Sequence, residues 1–253
     1  MQKNVCDTVV FLGDSWLSDR RFKGVIYSDR AEEFIKLAPH SYKHKSIIEL
    51  KNLSRGGLTW DKIINNENLL SSWVRQKPKV TVIHASACEI VNRSFNFDKE
   101  ISEGKFYADR LVGHINYLSD FARQHMTPQV FQQWDPEHRF VVPVLPDWGT
   151  FQQHRPNSIS SEEYRKTRSR INKVLKEKAI KFWVNHKALI ISPHMENIIF
   201  EGVHLSERDQ VKFNKQIVQG VAKVICDSCA LKESDKKESL KLVLKSKCQN
   251  KSI

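Results

Sequence analysis

Thr8-Val9-Val10-Phe11-Leu12-Gly13-Asp14-Ser15-Trp16 is the stretch on which the reading of this chain turns. A run of β-branched and aromatic residues stops abruptly at Gly-Asp-Ser, which predicts a buried strand over residues 9–12 ending in a tight turn. In an α/β protein, ligands and reacting groups gather at the carboxyl end of the first strand. Gly13 lets the backbone turn there, and Ser15 can then present its hydroxyl above the sheet. Gly-Asp-Ser alone is a frequent tripeptide, so Ser15 becomes a nucleophile only if a base is supplied from elsewhere.

Working outward, apolar runs predict further strands over residues 46–50, 79–84, 139–145 and 188–191. Pro143 is awkward in a central ladder and predicts a bulge or the strand's end. Helical spacing predicts a short helix near residues 29–37, one helix carrying Trp60, Ile63, Ile64, Leu69, Leu70, Trp73 and Val74, and a long one carrying Leu111, Ile115, Leu118 and Phe121. Ser160-Ser161-Glu162-Glu163 reads as a capping box for a helix with Tyr164, Ile171, Val174, Leu175 and Phe182 inward. Ser206 caps a last helix, whose apolar face is Val211, Asn214, Ile217, Val218, Val221 and Ile225. Strands alternating with helices argue for one α/β/α domain over residues 1–229 with a mostly parallel five-stranded sheet. Residues 230–253 form a Lys-rich tail, expected to be poorly ordered.

The 253 residues can bury a substantial core, and no apolar run reaches the roughly 20 residues that a membrane span needs. The first residues show no signal-peptide apolar region, so a cytoplasmic location is the default expectation. Five cysteines without framework spacing fit a reducing compartment, and Cys226-Asp227-Ser228-Cys229 lacks the second ligand pair of a zinc site. Of the net charge of +12, the tail from residue 231 onward supplies +4, from seven lysines against three acids. That balance keeps a polyanionic partner open as an alternative to an ordinary basic protein.

The second informative stretch is Glu201-Gly202-Val203-His204-Leu205-Ser206. A carboxylate and an imidazole three apart in a glycine-containing turn can lie side by side. The carboxylate then accepts the Nδ1 proton and leaves Nε2 as a base. A serine nucleophile requires that pair, a base within reach and a third group holding the base.

With these blocks in order, the chain resembles the SGNH hydrolase superfamily, the GDSL-type esterases and lipases. The resemblance spans roughly residues 7–226 and implies a flavodoxin-like three-layer fold. Gly13-Asp14-Ser15 matches the family's first block, and Gly57 in Ser54-Arg55-Gly56-Gly57-Leu58-Thr59 matches the second, with Gly56 the other choice. Glu201-Gly202-Val203-His204 matches the last block with Glu in place of Asp. The resemblance implies a serine esterase in which Ser15 attacks, His204 is general base and acid, and Glu201 orients His204. The backbone N–H groups of Ser15 and Gly57 are then oxyanion donors. No metal or organic cofactor is implied, and the substrate would be an ester or a related acyl compound.

The third block departs from the pattern. Ala85-Ser86-Ala87-Cys88-Glu89 stands where the family reads Gly-x-Asn-Asp, so Cys88 occupies the position of the third oxyanion donor. A thiol cannot reproduce an amide N–H, and loss of one donor typically slows turnover by about 10²–10³-fold. The resemblance therefore implies a slow enzyme or a fold relaxed toward binding. The family also includes modules encoded by retroelements and a catalytically silent RNA-binding branch. On that alternative Arg165, Lys166, Arg168, Arg170, Lys173, Lys176, Lys178 and Lys181 would form a phosphate-tracking stripe that binds nucleic acid together with the Lys-rich tail. His84 reads as a satisfied core histidine, while Trp16 and Trp148 read as pocket-lining or ordinary core aromatics. Oligomeric state is not legible.

Overall fold

The first strand, β1 (Val5–Gly13), pairs in parallel with β2 (Ser46–Asn52) on one side and with β3 (Val80–His84) on the other. Neighboured on both edges and covered on both faces, β1 has no solvent-facing side. This is why Val9, Val10, Phe11 and Leu12 form an unbroken apolar run rather than an alternating one, and all four are buried. The computed structural model describes residues 5–18, 46–84, 105–144, 161–193, 200–201 and 204–230.

β4 (Arg139–Pro143) and β5 (Ala188–Ile191) extend the sheet beyond β3, giving a parallel five-stranded sheet in the order β2-β1-β3-β4-β5. Pro143 is the last residue of β4, opposite Ile191, as a residue without an N–H requires. One more ladder bond follows it, from Val144 N to Ile191 O at 2.8 Å.

The helix expected from Trp60 to Val74 is two helices, α1 (Trp60–Ile64) and α2 (Glu67–Arg75). Asn65 and Asn66 make the break. The Asn66 side chain accepts from Leu69 N at 3.0 Å and so begins a new helix rather than continuing the old one. α3 (Lys105–His125) buries Leu111, Ile115, Leu118 and Phe121 as the spacing predicted. It is followed by α4 (Pro128–Trp134), an element the sequence reading missed although Pro128 stands at its first position.

α5 (Ser161–His186) packs on β5 and α3. Ile171, Leu175 and Phe182 are buried as expected, but so are Thr167, Arg168 and Asn172. The structure thus corrects the reading of Arg168 as a surface cation, since it is 1% exposed. Residues 200–201 and 204–205 form a two-stranded antiparallel ladder, β6 (Phe200–Glu201) and β7 (His204–Leu205), too short for the sequence patterns to have suggested. The chain then enters α6 (Glu207–Ala230), which packs across β3, β4 and β5. Its inner face is Phe213, Asn214, Ile217, Val218, Val221, Ala222, Val224 and Ile225, whereas Val211, expected inward, is only half-buried.

Strand order explains the layering. The connections β2–β3, β3–β4 and β4–β5 all step in one direction, so right-handed crossovers put α1 to α5 on one face. Among the described residues the other face is left to α6, and one apolar cluster runs from Val9 to Ile225 through all three layers. No helix among the described residues is long and apolar enough to cross a membrane.

Candidate active site

The strand order reverses at β1. The chain leaves β1 for β2 on one side and returns with β3 on the other, which opens a crevice at their carboxyl ends. Ser15 stands in the turn directly above that crevice and is partly buried.

Gly13 is required there by contact rather than by dihedral angle. A Cβ on Gly13 would fall on the carbonyl oxygen of His84, which must approach closely because it accepts Asp14 N at 2.8 Å. The turn closes with Leu17 N donating to Asp14 O at 3.1 Å, and Asp14 Oδ1 accepts Trp16 N at 3.0 Å. The carbonyls of Trp16 and Leu17 are each held by a carboxamide from elsewhere in the chain. Gln210 Nε2 of α6 donates to Trp16 O at 2.9 Å, and Asn52 Nδ2 of β2 donates to Leu17 O at 3.0 Å. The backbone on both sides of Ser15 is therefore anchored to β2, β3 and α6 together.

The Asp14 carboxylate is wholly buried, an expensive position for a charge without partners. Besides Trp16 N it faces His84 Nδ1 at 3.1 Å, and the tautomer with its proton on Nδ1 donates to it. His84 is thus a satisfied core histidine. Trp16 is core as well, 1% exposed, with its ring edge-on to Phe213 of α6 at 5.6 Å.

The glycine loop lies alongside. Leu53 N donates to Phe11 O at 2.8 Å and Arg55 N to Gly13 O at 2.9 Å, carrying the β1–β2 ladder past the end of β2. This brings Gly56 next to Ser15, where a Cβ on Gly56 would sit 3.9 Å from Ser15 Cβ. Gly57 has φ +76°, a left-handed conformation that only glycine adopts at little cost. Asn52 organises this loop too, since its Oδ1 accepts Ser54 N at 3.0 Å. Lys62 Nζ caps the loop from outside, donating to Gly57 O at 3.0 Å.

Glu201 and His204 are directly opposite one another in the β6–β7 ladder. Immediately after β7, Ser206 starts α6. Gln210 N donates to Ser206 O at 2.8 Å, Ser206 Oγ donates to Asp209 Oδ2 at 3.1 Å, and all three residues are buried. The segment bearing His204 thus runs into a rigid helix cap whose Gln210 reaches the carbonyl next to Ser15.

Cys88, Trp148 and the loops 92–104 and 147–157 lie outside the described residues, as do the helix expected near residues 29–37, Ser160 of the capping box and the tail from residue 231. The reading of the sequence missed Asn52 and Gln210. Asn52-Leu53-Ser54 carries a turn signal that could have revealed the first, but nothing local marks the second.

No protein-family model matches this chain, and no curated protein matches it by sequence. Solved structures do match by shape. A carbohydrate esterase family 3 protein from Talaromyces cellulolyticus aligns over 87% of this chain and 99% of its own, at a TM-score of 0.54 and 12% identity. An acetyl esterase mutant with an acetate ion gives the same 87%, 99%, 0.54 and 12%. The lipase/acylhydrolase from Enterococcus faecalis aligns over 86% of this chain and 96% of its own, with a TM-score of 0.50 and 14% identity. The likeness is one of fold: the chain shares the parallel-sheet α/β architecture of these proteins, the SGNH hydrolase fold.

Proposed function

We propose that this chain is a serine hydrolase acting on an ester or a related acyl group, with Ser15 as nucleophile. The observation that carries the proposal is the placement of Ser15. It sits at the crevice where strand order reverses, in a turn anchored on every side and beside the loop of Gly56 and Gly57. A turn merely connecting two elements has no need of carboxamides from both β2 and α6 to hold consecutive carbonyls.

In the proposed reaction His204 takes the Ser15 hydroxyl proton as Oγ attacks the acyl carbon. The carbonyl π electrons move onto oxygen, and the oxyanion is met by the backbone N–H groups of Ser15 and Gly57. Collapse expels the alcohol, which takes the proton from His204 and leaves an acyl-enzyme on Ser15. Water repeats the sequence, giving the carboxylic acid and restoring Ser15. Glu201 orients His204, a role supported by their opposed positions in the ladder. With Cys88 in place of the usual amide donor, the oxyanion lacks one partner, and turnover is expected to be about 10²–10³-fold below that of a complete site.

The nucleic-acid alternative rested on the cations of α5 and on the Lys-rich tail, and burial removes Arg168 from the stripe on α5. Lys178 and Lys166 are engaged with Asp109 and Glu162 at 3.0 and 2.6 Å, so the remaining track is interrupted.

Labelling by a fluorophosphonate probe followed by peptide mapping tests the hydrolase reading. Attachment at Ser15 that disappears in Ser15→Ala is the expected result. Equal hydrolysis of p-nitrophenyl acetate by wild type and Ser15→Ala would overturn it.

A further inference from the structure

We infer that Gln210 is a positioning residue that sets the distance between the histidine-bearing hairpin and the nucleophile turn; this rests on the serine hydrolase reading above. Gln210 is 2% exposed, and its amide donates to Trp16 O, one residue past Ser15, across a separation of 194 residues. Its own backbone N–H closes the first turn of α6 on Ser206, two residues after His204. Between His204 and Gln210 the chain is a helix cap of fixed geometry, with Asp209 N on Ser206 Oγ at 3.4 Å and Ser206 Oγ on Asp209 Oδ2 at 3.1 Å. A rigid cap joined at one end to His204 and at the other to the Trp16 carbonyl indexes one against the other.

Filling space does not require an amide at this position. Phe213, one turn on, already packs α6 against the Trp16 ring, and an apolar side chain the size of glutamine would occupy the same volume. What the amide adds is direction, because a hydrogen bond fixes a distance and an angle where an apolar contact allows sliding. The requirement is strict at a site where a misplacement of about 1 Å costs on the order of 10²-fold in rate.

Gln210→Met, which keeps the volume and loses the donor, is the test variant, with p-nitrophenyl acetate as substrate and Ser15→Ala alongside. The expected result is a fall in kcat of about tenfold or more, KM within about twofold of wild type, and a matching fall in the rate of fluorophosphonate labelling at Ser15. A kcat within about threefold of wild type, or a loss expressed only in KM, overturns the inference. If Gln210→Met does not fold, Gln210→Leu is judged by the same criteria, since its apolar side chain likewise cannot donate to Trp16 O. An active wild type whose rate survives in Ser15→Ala overturns both readings. An inactive Ser15→Ala beside an unimpaired Gln210→Met overturns the positioning role alone.

Discussion

Two buried histidines, at opposite ends of the same strand layer, are held in opposite ways. At the carboxyl edge, His84 is 2% exposed and its Nδ1 faces the Asp14 carboxylate at 3.1 Å. At the amino edge, His138 is 3% exposed, lies flat against Trp134 with ring centroids 4.3 Å apart, and meets the Thr81 hydroxyl through Nε2 at 2.9 Å. Trp73 Nε1 donates to the same Thr81 oxygen at 2.9 Å, and the tautomer of His138 without a proton on Nε2 accepts from that hydroxyl. Burial, with Lys187 and Arg139 nearby, pushes the His138 pKa well below its usual 6.5. The carboxyl edge is therefore fixed by donors and acceptors of defined direction, the amino edge by aromatic stacking around one hydroxyl. A hydrogen-bonded frame fails abruptly when one partner goes, whereas a stacked one loosens by degrees.

The largest expected effect follows from Gly13. Gly13→Ala would place a methyl on the His84 carbonyl and force β1 and β3 apart, with an expected loss of more than about 4 kcal/mol in urea unfolding. A folded variant with unchanged midpoint would show that the carboxyl edge is not rigid. Asp14→Ala comes next, at about 3–5 kcal/mol, because it removes the partner of a buried ring and of Trp16 N together. Combining it with His84→Phe should return part of that loss, and strict additivity of the two changes would show that the pair is not coupled.

The amino edge should respond more gently. Thr81→Val leaves Trp73 Nε1 and His138 Nε2 without their shared oxygen and is expected to cost about 1–3 kcal/mol. The edge also responds to pH. The unfolded chain takes up a proton on His138 near 6.5 while the folded ring does so only well below, so protons favour unfolding. Its contribution is fully present above 6.5 and is lost as pH falls through the lower folded value. His138→Phe should flatten the stability profile in that window relative to wild type, and parallel profiles would place the pH dependence elsewhere. Smallest in stability is Gly57→Ala. Nothing within 4 Å obstructs a methyl there, so the cost is the left-handed backbone alone, about 1–2 kcal/mol. On the proposed mechanism its rate loss should far exceed what that stability change implies, which esterase assays at full folded occupancy would reveal.

The same contrast explains what could be read from the sequence. Strands buried on both faces announce themselves as apolar runs, so β1, β3 and β4 were legible, as was the parallel layering. Ser15, Gly57, Glu201 and His204 could be nominated for the proposed site because each sits in a short pattern whose residue types the chemistry restricts. Hidden were features whose meaning depends on a distant partner. Gln210 is an ordinary polar residue of a helix until Trp16 is placed beside it. Arg168 reads as a surface cation in a run of cations until the packing of α5 buries it. The Asn65–Asn66 break was visible as two polar residues, but helical periodicity continues across it, and only the cap at Leu69 shows that the helix restarts.

The bond from Gln210 to Trp16 also has a consequence in time. During synthesis the turn of Ser15 is made well before α6, and its Trp16 carbonyl waits for a donor that is translated almost 200 residues later. A closure across so long a loop forms after local helices and neighbouring strands rather than before them. A nascent chain therefore carries the turn of Ser15 without its anchor from α6 until Gln210 has been made. On the proposed mechanism, the reactivity of Ser15 then waits for α6 to dock.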